Sequence, residues 1–238
     1  MLSLVGIVAI AGLALTGRLG LYIHPRYFVF TVIMAGIAAV VVLAAFALLP
    51  TAASDDDGYD GHEHGPTRAA GWQVAASAVL IALTAVALLV LPPATLTSST
   101  VEQRDLNGST ASTNVQLVGG DDSALTVKDW AGLLRQGVGD DYLAGKTPTL
   151  VGFVTPDADD PDNVFYVTRF VITCCAVDAQ PVGVPVYLPG WQGEYATDSW
   201  VSVTGAFIDN PSTSSMQPIV LSPAEVVATD QPEQPYVY

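Results

Sequence analysis

The sequence predicts two parts of different character: a membrane α-helical N-terminal region of three spanning helices, and a small, mainly β C-terminal domain in the form of an OB-like five-stranded barrel. Three observations predict it. Of 238 residues, 50% are hydrophobic and only 13% charged, about half the charged share of an average soluble domain. The charge is unevenly placed, with five acids and three bases in residues 1–92 and eighteen acids and five bases in residues 93–238. The hydrophobic pattern also changes, from long uninterrupted runs to short alternating ones. The boundaries read as a three-helix transmembrane region at 1–92 with an acidic, His-containing loop at 50–70, a Ser/Thr/Gly-rich linker at 93–120, and the β domain at 121–238.

Each helix has its own warrant. Residues 2–17, 28–49 and 71–91 carry no charge. The second and third runs meet the roughly 20 residues that a span needs. The first reaches that length if it runs on through Leu19–Ile23, with Arg18 snorkelling to the interface. A cleaved signal peptide is the alternative for this run, but it has no basic segment ahead of it and no small-residue cleavage site before a soluble domain. Pro25 suits the start of the second helix, and Pro92-Pro93 stops the third. Three crossings put the loop at 18–27 and the C-terminal domain on one side, with the 50–70 loop on the other. The expected location is the cell membrane, multi-pass, with the side of the C-terminal domain open.

In the C-terminal part, 125–138 reads as a short helix, with Asp129 as its cap and Gly137 or Gly139 at its end. Five strands follow: 149–155 (TLVGFVT), 164–172 (VFYVTRFVI), 182–188 (VGVPVYL), 200–208 (WVSVTGAFI), and 218–221 extending to 225–229. Val, Tyr, Phe and Thr dominate them, and Gly, Pro and Asp clusters, including the turn at 157–162, separate them. Gly152 and Gly205 inside strands suit sharp bends at barrel corners. An open β-sandwich is the alternative fold. An OB-like barrel invites a nucleic-acid reading, but the net charge of −15 rejects it. Counterion release needs cations, and five dispersed ones build no basic patch.

Three groups of residues carry candidate chemistry. In the 50–70 loop, Asp60, His62, Glu63 and His64 present two imidazoles at i and i+2 among carboxylates, a donor set suited to zinc or another divalent metal. A solvated acidic loop is the bland reading. The only two cysteines, Cys174 and Cys175, are adjacent, with Arg169 and Asp178 nearby. On a strand, neighbours face opposite ways, so one cysteine is expected toward the core and the other toward a ligand, metal or redox partner. The bland reading is a buried small hydrophobe beside a bystander. His24 sits at the membrane edge, on the side of the cysteine domain rather than with His62 and His64. No hydrolytic triad, phosphate-binding loop or HExxH motif is present, so no enzyme, catalytic residue or organic cofactor is expected.

The residues Tyr22-Ile23-His24-Pro25-Arg26-Tyr27, the Gly-His-x-His-Gly loop, Pro92-Pro93-Ala94-Thr95-Leu96, Gly145-Lys146 before Leu150-Val151-Gly152-Phe153-Val154, and the block 167–181 (VTRFVITCCAVDAQP) together resemble the YcgQ-like family of predicted permease subunits, over nearly the whole chain. The resemblance implies three N-terminal spans, a C-terminal β domain and a separate multi-span permease as partner. Long His-rich loops in some relatives imply divalent-metal handling, reduced here to His62 and His64. The resemblance also implies that Cys175 is more general than Cys174. The expected function is therefore an accessory subunit of a membrane permease, in contact with the lipid bilayer and handling a divalent metal such as zinc. A stand-alone membrane-tethered metal or ligand binder is the first alternative. A thiol redox protein using Cys174 and Cys175 is the second.

Overall fold

The computed structural model describes residues 2–48, 68–90, 95–108 and 124–238. The chain divides into two compact units, Met1–Ala94 and Thr95–Tyr238. In the first, helices α1 (Leu2–Leu15), α2 (Phe28–Leu48) and α3 (Arg68–Val90) form from the three apolar runs. α1 packs against α2 and, more sparsely, against α3. Among the described residues one helical stretch, Pro25–Ala45, is long and apolar enough to cross a membrane, and none of it is buried within the chain.

The sequence predicts three spans, and one helix that meets the length and apolarity of a span is described. α1 does not run on to Ile23. Gly17 adopts a left-handed φ of 72°, and a 3-10 turn at Arg18–Leu21 diverts the chain. The 14 residues of α1 rise only about 21 Å, against a hydrocarbon core of about 30 Å. α3 is a helix of 23 residues, and its described apolar stretch is Ala75–Ala87.

The second unit is a closed five-stranded β-barrel. Its strands are β1 (Thr149–Pro156), β2 (Val164–Val171), β3 (Gln180–Tyr187), β4 (Trp200–Asp209) and β5 (Ile219–Ala228). β1 pairs antiparallel with both β2 and β4, β2 with β3, and β4 with β5. A parallel contact between β3 and β5, Val186 opposite Leu221, completes the circle. That closure rules out an open sandwich. A two-residue strand unforeseen from the sequence, β6 (Tyr236–Val237), adds to β2 in parallel.

The alternation read from the sequence fills the core. Leu150 and Val154, Phe165 and Val167, Val184 and Val186, Val201 and Val203, and Leu221 all belong to one buried cluster. Each such side chain contributes about 1.5–3 kcal/mol when fully buried. The helix α5 (Val127–Arg135) adds Trp130 and Leu133 to the same cluster, with the Trp130 ring 5.1 Å from that of Phe207. Thr126, not Asp129, is its N-cap; Asp129 lies at the third position and its carboxylate accepts the Thr126 N–H at 2.8 Å. Gly137, at φ 67°, ends it. A four-residue helix, α6 (Asp140–Leu143), follows. Gly205 sits at a register shift between β4 and β5. Both glycines also admit a close neighbouring strand: a Cβ at Gly152 would lie 2.6 Å from the Thr168 carbonyl oxygen, and one at Gly205 would meet the Ser222 carbonyl oxygen.

Residues 95–108 are part of the barrel domain, which corrects the expected linker over this stretch. The short helix α4 (Ser98–Val101) buries Val101. Ser98 donates its N–H and its hydroxyl to the Asp198 carboxylate at 2.7 and 3.0 Å. The Leu96 N–H reaches the Tyr236 hydroxyl at 3.4 Å. The Asn107 amide pairs with both backbone groups of Gly183, at 2.9 and 2.8 Å. Among the described residues Asn107 and Asp198 are the two non-glycine positions with positive φ, 59° and 67°, and Asn and Asp tolerate that region best. The Ser/Thr/Asn-rich composition that reads as a flexible tether here supplies donors and acceptors to the barrel instead.

Two substitutions test this packing. Gly152→Ala forces β1 off the β2 backbone and costs about 1–3 kcal/mol, as overpacking does; a urea midpoint of the full-length protein in detergent, followed by tryptophan fluorescence, that stays at the wild-type value contradicts the close approach. Asn107→Ala leaves a partly buried N–H and C=O unpaired at Gly183, a loss of about 1–3 kcal/mol, and hydrogen exchange at Gly183 rises if the strap is fastened there.

Candidate metal centre

The connection from β2 to β3 carries the cysteines. β2 ends at Val171, Ile172 is buried, and the chain bends through Thr173 and Cys174 into a 3-10 turn at Ala176–Asp178. Cys175 is extended and precedes that turn as its N-cap, with φ −154° and ψ 170°. The Asp178 carboxylate folds back over the bend. Its Oδ1 accepts the N–H of Thr173 at 3.1 Å, and its Oδ2 accepts those of Cys174 at 2.7 Å and Cys175 at 3.4 Å. Three backbone donors that the end of the strand leaves unpaired are thus satisfied by one side chain.

This local structure changes the expected arrangement of the thiols. Opposite orientations apply to neighbours on a strand, and both cysteines lie beyond its end. Cys174 is exposed and Cys175 half-buried, and both are free thiols. The two Sγ atoms and a carboxylate oxygen of Asp178 all lie within 4.8 Å of one another. Among the described residues no other group of three His, Cys, Asp or Glu side chains converges in this way. The Cys174 thiol is pushed up from its ordinary value, first by its hydrogen bond to Cys175, then by desolvation and by the charges of Cys175 and Asp178. Reactive thiols are shifted the other way, toward the thiolate.

Arg104, a lone cation within the expected linker, steadies the turn from outside: its Nη2 donates to the Val177 carbonyl at 3.1 Å. The Val177 side chain is 82% exposed. The signal for Arg104 was weak, a single cation in a polar stretch.

The other candidates fall elsewhere. Arg169 donates through Nη1 to the Val151 carbonyl at 3.2 Å and through Nη2 to Gln234 at 2.7 Å, and its guanidinium lies 5.2 Å from the centre of the Trp200 ring. It ties the C-terminal tail to β1 and β2. Burial lowers its pKa, opposed by the charge of Tyr238. His24 caps a 3-10 turn at Pro25–Tyr27, its Nδ1 accepting the Arg26 N–H at 3.1 Å. Asp60, His62, Glu63 and His64 lie outside the described residues. The turn after β1 is closed by Asp157, whose Oδ1 accepts the N–H groups of Asp159 and Asp160 at 3.0 and 2.8 Å. The Tyr166 phenol is held far above its ordinary range, by burial first and then by the charge of Asp157 and a hydrogen bond to it.

Fold and turn together define a small closed barrel that follows apolar helices in the sequence, with, among the described residues, one cluster of metal-type donors on a surface connection. Residues 1–107 match the DUF1980 N-terminal domain and residues 132–238 the DUF1980 C-terminal domain. The chain therefore belongs to the DUF1980 family, and all five barrel strands and the cysteine turn lie within the second match. No curated protein and no solved structure matches the chain at a significant level.

The shift of Cys174 has a direct readout. In the full-length reduced protein its alkylation rate rises with a midpoint above the ordinary thiol value of about 8.5, and Cys175→Ala brings that midpoint down. A wild-type midpoint below that value would contradict the hydrogen bond between the two thiols.

Proposed function

We propose that the protein is a membrane-anchored accessory subunit of a permease, and that its OB-like barrel handles a divalent metal, zinc foremost, on the permease's behalf. The observation that carries this reading is the convergence of two thiols and a carboxylate within 4.8 Å on a surface turn. Two thiols and an oxygen are a donor set of the kind that zinc takes. The anchor is α2, supported by Val29, Phe30, Val40 and Val41, apolar side chains left more than 60% exposed by the chain itself. Exposed apolar surface on this scale asks for lipid or another helix. In the full proposal α1 and α3 join α2 in the bilayer and dock against the permease, giving the three-pass arrangement of a YcgQ-like subunit.

The stand-alone binder differs only in lacking the permease. The redox reading draws on the same two free thiols, Cys174 and Cys175.

One purification separates these readings. The full-length protein, tagged at its C-terminus and extracted in mild detergent, is expected to elute with a near-stoichiometric multi-span partner and with about one divalent metal per chain. A metal-loaded protein without partner, in a detergent that preserves other complexes, supports the tethered binder. A metal-free protein whose thiols cycle between oxidised and reduced forms supports the redox protein.

A further inference from the structure

Resting on the metal-handling reading above, the geometry points to a specific site and a specific class of cation: we propose that Cys174, Cys175 and Asp178 bind one thiophilic divalent cation, of the Zn2+ and Cd2+ class, chiefly through the two sulfurs. The site is distinct from the His62 and His64 loop that the sequence singles out.

Distance is the first argument. Two thiolates on one tetrahedral zinc, with Zn–S bonds of about 2.3 Å, stand about 3.8 Å apart. The three donor atoms already lie within 4.8 Å of one another. Closing onto an ion therefore takes a shift on the order of 1 Å, within the range of thiol rotation on an exposed turn.

The turn is also built before any ion arrives. Asp178 holds the bend through the N–H groups of Thr173, Cys174 and Cys175, and Arg104 holds the Val177 carbonyl from the strap. Ordering the ligands is a large part of the cost of binding, and here two fixed contacts have already ordered them.

The chemistry of the donors selects the cation. A carboxylate offers about four lone-pair sites, and three N–H groups engage those of Asp178. Asp178 is thus mainly a positioning residue, with one remaining position for a metal. The sulfurs must supply most of the affinity. Hard cations such as Mg2+ and Ca2+ need several oxygens, which this turn does not bring together, whereas thiolates favour soft and borderline ions.

The test uses the full-length reduced protein in detergent, with Cd2+ as probe and thiolate-to-metal charge-transfer absorption as the signal. One equivalent of Cd2+ is expected to produce the band, Zn2+ to displace it, and a hundredfold excess of Mg2+ or Ca2+ to leave it unchanged. Cys174→Ser and Cys175→Ser each lower the affinity at least tenfold, and the double substitution removes the band. His62→Ala with His64→Ala leaves it intact. Asp178→Glu, which keeps the charge and misplaces it, weakens binding without removing the band. Cys174 is exposed, so Cys174→Ser carries the test should the half-buried Cys175 variant fail to fold. Undiminished Cd2+ binding in the cysteine variants, or binding lost only with the histidines, overturns the sulfur site and leaves metal handling standing. A chain that binds neither Cd2+ nor Zn2+ overturns both.

Discussion

Strand β2 is buried along both faces, and a barrel covers only one of them. Phe165, Val167 and Val171 point into the closed core, while Tyr166, Thr168 and Phe170, on the alternate face, are buried as well. A five-stranded barrel leaves its outer surface to water unless the rest of the chain covers it, so the termini of the domain are recruited. The C-terminal tail lays Tyr236 beside Phe170 in parallel register, and Phe153 stacks on Phe170 at 5.6 Å. The strap at 95–108 brings Asn107 to Gly183, whose missing side chain leaves room above Tyr166 and Thr168. Arg169 then binds tail and strands together through backbone carbonyls. The connection leaving β2 inherits this rigidity, because its first residue, Ile172, donates its N–H to Val237 of the tail.

The cysteine turn thus joins two strands, β2 and β3, that are both buried along both faces. A cation site on a loop usually loses affinity to the cost of ordering the loop. Here the same carboxylate that caps the bend sets the sulfurs side by side, and the strap reaches the next carbonyl along. The competition within Asp178 is the informative feature. Its oxygens serve the backbone first, which leaves the thiols as the groups with spare capacity. The proposed preference for a thiophilic ion follows from that division of labour rather than from the identity of the residues alone.

Much of the barrel was legible in the sequence because its strands alternate cleanly and their breakers are strong. The five expected strands match the observed ones to within a few residues, and the parallel β3–β5 contact is the element no local pattern announces. The strap was illegible for a different reason. Ser98, Arg104 and Asn107 act through one or two side-chain or capping hydrogen bonds each, to residues 70 or more positions away, and polar residues in a low-hydrophobicity stretch carry no periodicity. The cysteine pair stands out in the sequence, but its geometry depends on where β2 ends, and the strand stops at Val171. Ending the strand there turns two opposed thiols into a convergent pair. The helices are legible from composition, which marks all three apolar runs, but Gly17 ends the first at a turn that hydropathy does not register.

The charge distribution bears on how an ion would reach the site. Residues 93–238 carry a net −13, a field that raises the local concentration of cations and repels anions, though screening limits its reach to about 8 Å at physiological ionic strength. Long-range attraction of this kind is indiscriminate between metals. Selection must then occur at short range, where the donors differ. An acidic surface that gathers divalent ions and a dithiol turn that retains the thiophilic ones divide the work between a non-specific and a specific step. The few cations of the domain fit that division: Arg104 and Arg169 spend their hydrogen bonds on backbone carbonyls, so they build the frame of the turn without occupying the acids around it.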